Sequence, residues 1–168
     1  MVCSAADQLS LSSRENVTNV RMSTLQELLG GPAKRGAVVD DALQVLDAEV
    51  DAKGGLSGIA VKTAYKLVKG ISPDFLRRAV DHLLDDFLIA LDPLYQEALQ
   101  RGVDARQHLV SNPSRVADLL LGITDARAAR SDNQMLRKTY EKLREGAKKH
   151  VEAAVPRLGD MFARHVGN

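Results

Sequence analysis

A chain of 168 residues with three Tyr, three Phe and no Trp must build its interior from Leu, Val, Ile and Ala. That suits helix packing and leaves few of the aromatic platforms on which single-stranded nucleic acid stacks. The net charge of +1 supplies no global field to drive the chain onto DNA or an anionic membrane. One cysteine, Cys3, allows no internal disulfide and points to a reducing compartment.

Residues 1–21 are polar, rich in Ser and Asn, and without periodicity; a disordered leader is expected there, with Met22 as the natural start. They lack the basic and apolar regions of a secretory signal. No apolar run reaches the 18 residues of a membrane span, and the expectation is a soluble cytoplasmic protein with one helical domain over 22–168.

Thr24-Leu25-Gln26-Glu27 has the form of a capping box. The short helix it opens ends at Gly30-Gly31, and Pro32 suits the first turn of the next. Val38, Val39, Ala42, Leu43, Leu46 and Val50 then form an apolar stripe, with Asp40, Asp41, Asp47 and Glu49 on the other face. Lys53-Gly54-Gly55 closes this helix, and Ser57 is read as the cap of the one that follows. Ile59, Ala60, Val61, Ala64, Tyr65, Leu67 and Val68 are placed inward there, and Lys62, Lys66 and Lys69 outward. Gly70 ends it, and Ser72-Pro73-Asp74 predicts a restart with Ser72 as N-cap.

The next segment, Phe75 to Leu91, is the most apolar and is expected to be the central helix, contacted on several sides. Asp92-Pro93 should break or kink it before Gly102. Asp104 caps a short helix, Asn112-Pro113 opens another, and the last begins near Ser131 or Asp132, with a kink or restart at Pro156. No stretch alternates with period two. The fold class predicted is all-α, a compact antiparallel multi-helix bundle of six to eight helices. Lys62–Gly70 aligns without gaps on Lys138–Gly146, either an internal duplication or two helices of biased composition.

Few residues invite a chemical reading. The turn Lys53–Gly58 is glycine-rich but lacks the strand and the Lys-Ser end of a phosphate-binding loop, and a C-cap followed by an N-cap accounts for it. Asp81, His82, Asp85 and Asp86 could hold a divalent cation, yet no partner motif accompanies them, and a solvated acidic face is favoured; no metal and no cofactor are expected. His108, His150 and His165 are isolated, and no nucleophile–base order is visible, so no catalytic residue is assigned and the chain is read as non-enzymatic.

Between Ala126 and His150 eight Lys or Arg residues against three acids leave +5 there and −4 in the rest. Arg127, Arg130, Lys142, Lys148 and Lys149 are the candidate anion-binding residues on this basic face. Structural pairing of Arg127 or Arg130 with acids of the central helix, or of either with Asp125, is favoured.

Gly55-Leu56-Ser57-Gly58, Val61-Lys62 through Lys69-Gly70, Asp92-Pro93-Leu94-Tyr95, Thr124 through Ser131, and His150 through Pro156 resemble an uncharacterised bacterial family of small helical proteins, over about residues 23–166. The resemblance implies a bacterial, cytoplasmic, all-helical protein and carries over no site. The leading expectation is a helical module that binds another protein or itself. Binding of an anionic ligand, nucleic acid or a phosphorylated metabolite, through the 126–150 helix is the alternative, with nucleic acid the weaker form of it. A small apolar ligand between helices opened by kinks at Pro93 and Pro156 is a third.

Overall fold

The computed structural model describes residues 23–167; the leader assigned to residues 1–21 lies outside the described residues. Seven helices and no strand occur among the described residues: α1 (Leu25–Leu29), α2 (Pro32–Ala52), α3 (Gly55–Lys69), α4 (Phe75–Arg101), α5 (Ala105–Val110), α6 (Pro113–Ala129) and α7 (Gln134–Val166). Turns of two to five residues join them into a compact helical array.

The capping box forms as its residues require. The Thr24 hydroxyl accepts from the Glu27 N–H, and the Glu27 carboxylate accepts from the Thr24 N–H at 3.0 Å. A further free N–H of this first turn, on Leu25, donates to Asp92 of α4 at 2.8 Å, which docks α1 on the central helix. Pro32 and Pro113 open α2 and α6, where a missing N–H costs nothing. Gly102 ends α4 in the left-handed conformation, φ 62°, and Asp104 caps α5 through the Gln107 N–H.

Three expected starts move. Helix α3 begins at Gly55 with Gly54 as its cap, so Ser57 lies inside the first turn. Gly58 explains the shift: a Cβ there would stand 2.7 Å from the Lys53 carbonyl carbon, and its absence lets the chain fold back on Lys53 and start the helix earlier. Residues 72–74 form a turn, and α4 starts at Phe75 after Asp74. The Ser72 hydroxyl accepts from Arg78 at 2.9 Å, and it is the Ser72 carbonyl that accepts from the Phe75 N–H. Helix α7 starts at Gln134, because the Asn133 side chain accepts from the Leu136 N–H at 3.0 Å.

Neither proline interrupts its helix. Helix α4 runs through Pro93 and α7 through Pro156. Both prolines are exposed, so the carbonyl freed one turn back is open to water. Buried Leu91 and Leu94 flank the first and buried Val155 precedes the second, and this packing outweighs one lost hydrogen bond.

The core is centred on the second half of α4. Leu88, Leu91, Leu94 and Ala98 are essentially without exposure. The three leucines form one cluster with Leu25 and Leu29 of α1, Val38 and Val39 of α2, Leu109 of α5, Val116 of α6, and Val155, Met161 and Phe162 of α7. The first half of α4 is different: Phe75, Leu76, Ala79, Val80 and Leu83 are only half-buried, so the expected enclosure on several sides holds for one half of the helix.

Truncating Leu88→Ala should cost about 2–5 kcal/mol in denaturant unfolding, since the side chain is wholly enclosed. Ile89→Ala, on the exposed side of the same turn, should change stability by no more than about 0.5 kcal/mol.

Candidate functional site

Long-range ion pairs occupy many of the charges that the sequence offers as binding groups. Arg127 of α6 donates to Asp86 of α4 at 2.9 Å, the structural pairing favoured from the sequence. Lys148 of α7 lies 2.7 Å from Asp118 of α6. Asp125 pairs with neither Arg127 nor Arg130 but with Arg144, in a two-pronged contact of 2.6 and 2.9 Å. Arg130, Lys142 and Lys149 are exposed and make no ion pair within the described residues. The five candidate anion residues therefore do not converge: Arg127 faces α4, Lys148 faces α6, and the other three face solvent.

The acidic cluster of α4 is likewise engaged from within. Arg35 of α2 donates to Asp81 at 2.6 Å and to both oxygens of Asp85 at 2.9 and 3.1 Å. These carboxylates hold α2 to α4, a use the sequence reading as a solvated face did not include. Among the described residues no group of three His, Cys, Asp or Glu side chains is placed to hold a metal ion.

Glu49 corrects its assignment to the outer face of α2. It is buried, with 6% of its surface exposed, and is met by Lys53 at 2.9 Å and by Arg157 of α7. Two cations compensate a carboxylate that would otherwise be costly to desolvate. Two of the isolated histidines also have carboxylate neighbours: His108 beside Glu97 at 3.3 Å and His165 beside Asp41 at 2.9 Å. His150 has its pKa lowered, by burial first and by the Lys53 charge second.

Two clamps of one kind emerge that the sequence did not disclose. In the first, Tyr65 of α3 donates to Asp47 of α2 at 2.5 Å, and Lys69, one turn on, reaches the same oxygen at 2.9 Å. In the second, Tyr140 of α7 donates to Asp125 of α6 at 2.6 Å, and Arg144, again one turn on, completes it. Both aspartates have their pKa lowered, Asp47 chiefly by the Tyr65 hydroxyl and Asp125 chiefly by Arg144. Both tyrosines are raised, by burial first and by the adjoining carboxylate next. The ungapped alignment sets Tyr65 opposite Glu141, one residue away from Tyr140. The similarity thus lies in the clamp chemistry and not in that register.

Two apolar features remain uncovered. On α3, Leu56, Ile59 and Leu67 are 88%, 64% and 49% exposed, which overturns the inward placement of Ile59 and Leu67; their spacing sets the three within about 100° of one another around the axis. Lys62 and Lys66 run along one edge of this stripe, and Gly55–Lys69 contains no acid. The second feature is a groove of about 510 Å³ between the first half of α4 and the start of α7. Helices α3 and α6 each pack on both α4 and α7, while the backbones of α4 and α7 stay apart from each other. The groove is the gap in this ring, away from both prolines, so the kinks expected to open such a space have no part in it.

A family of unknown function, DUF6918, matches residues 25–166. The chain belongs to the DUF6918 family. The matched span nearly coincides with the extent of the resemblance read from the sequence and takes in all seven helices, including both clamps and the α3 stripe. Neither the comparison with curated proteins nor that with solved structures returns a match.

The Glu97 cluster offers the clearest pH dependence of this DUF6918 protein. Arg115, bidentate at 2.7 and 2.9 Å, and His108 hold the Glu97 pKa down from 4.5 to about 2. Its folded value lies below its unfolded one, so its contribution is complete above about 4.5 and is lost as pH falls through about 2. Urea midpoints measured across that window should decline, and Glu97→Gln should make the decline shallower.

Proposed function

We propose that this protein is a non-enzymatic helical interaction module, cytoplasmic and bacterial, that binds another protein through the exposed face of α3. The observation that carries the reading is the exposed Leu56–Ile59–Leu67 stripe on a helix that buries only Gly58 and Ala64. Aliphatic side chains at such exposure on one face form a patch of the kind that marks interfaces. Lys62 and Lys66, neither ion-paired among the described residues, favour a partner that presents apolar residues beside carboxylates. A symmetric contact between two copies of this face would set an acid-free helix against itself; the occupant is therefore a different, acidic protein.

Leu56→Asp with Ile59→Asp should weaken capture of such a partner by roughly thirtyfold, the equivalent of about 2 kcal/mol at an interface centre. Lys62→Glu with Lys66→Glu should weaken it and flatten its salt dependence. Biolayer measurement of a partner isolated on the wild-type chain reads both effects. A partner held equally by all three proteins, or concentration-dependent dimerisation through this face in light scattering, would remove the reading.

The anionic-ligand reading rests on Lys138, Lys142 and Lys149, which share one exposed face of α7 and have no ion-pair partner among the described residues. Glu145 interrupts that face, and two of the five original candidates are tied internally, so it stands second. Retention on heparin at low salt, abolished by Lys142→Glu with Lys149→Glu, is its expected sign. Passage without retention disposes of it.

A further inference from the structure

Helices α3, α4, α6 and α7 border an open groove that no side chain of the described residues fills. Its walls are Val68 of α3, Phe75, Ala79 and Leu83 of α4, and Leu136 of α7. At about 510 Å³ the groove falls within the size range of small-molecule sites. Phe75 to Leu83 is a rise of eight helical steps, a wall of roughly 12 Å that matches an extended chain of about nine or ten carbons.

Cationic and hydrogen-bonding groups stand at the rim. Arg127 crosses from α6 to α4 there, anchored by Asp86 at 2.9 Å and leaning on the His82 carbonyl at 3.5 Å. Only one of its nitrogens, Nη2, is used in these contacts, so Nη1 and Nε keep donors for another acceptor. The exposed His82 ring lines the same rim. Asp86 fixes the guanidinium in place before a ligand arrives, which lowers the ordering cost of binding.

We propose that this groove binds an amphiphile with a medium-length apolar chain and a carboxylate head, the chain lying along Phe75, Ala79 and Leu83 and the head meeting Arg127 and His82. An apolar trough without a cation would favour a neutral hydrocarbon, and Arg127 alone would favour a small anion. The two together select a molecule with both parts. The site is independent of the α3 stripe, so Leu56→Asp with Ile59→Asp should leave it intact.

Calorimetric titration of the full chain with decanoate, below its micelle-forming concentration, tests the assignment. One saturable site is expected. Ala79→Phe should fill the trough and abolish uptake. Arg127→Gln should weaken decanoate about tenfold, as loss of a charged hydrogen bond does, while leaving decanol unchanged. Circular dichroism on each variant separates these effects from unfolding, and His82→Gln repeats the head-group test without touching Asp86. Four results would each overturn the proposal: absence of a saturable site, undiminished binding by Ala79→Phe, equal losses for decanoate and decanol in folded Arg127→Gln, or association with anionic vesicles alone. Cross-linking that finds residues 1–22 or a second copy lying in the groove, with no decanoate taken up, would do the same.

Discussion

Burial of one aliphatic seam on α4 governs this fold. Leu88, Leu91, Leu94 and Ala98 face inward over three turns, and helices α1, α2, α5, α6 and α7 all send side chains to the cluster around them. With so few aromatics, no bulky ring can anchor the interior, so many small contacts must act together. The seam also explains why α4 tolerates Pro93. The helix is held by what packs on it and not by its own unbroken ladder.

Charge then sets how the helices sit around that seam. Arg35 ties α2 to Asp81 and Asp85, Arg127 ties α6 to Asp86, and Arg157 ties α7 to the buried Glu49. The exposed pairs each contribute little in free energy, but they oppose wrong docking angles, because a misplaced helix leaves carboxylates facing one another. A chain with nearly equal numbers of acids and bases thus uses much of its charge internally, and the faces left over acquire meaning: an acid-free stripe on α3 and a lysine row on α7.

Much of the architecture was legible from local chemistry. The Thr24 box, Pro32, Pro113, Gly102 and Asp104 act through neighbours within four residues, and each behaves as its side chain dictates. Ser57 and Ser72 misled because other residues close by supplied tighter solutions, the fold-back at Gly58 and the Arg78 contact. The candidate sites were far less visible. Glu49 meets Arg157 across 108 positions, and Arg127 meets Asp86 across 41; helical periodicity carries no record of such meetings. The groove was hidden for a related reason, since it lies between two helix pairs, α3–α4 and α6–α7, that are far apart in sequence. The Tyr–cation spacing of four was present in both segments, but an identity-based alignment slid past it by one residue.

The two clamps have a bearing on how the chain reaches this state. Each joins a helix to the one directly before it, Asp47 to Tyr65 across α2 and α3, and Asp125 to Tyr140 across α6 and α7. A hairpin latched in this way closes a short loop and sacrifices little chain entropy. Early structure of that sort, built from contacts near in sequence, goes with rapid folding. The protein thus carries two helix pairs, each latched within itself, on either side of the long α4 rod.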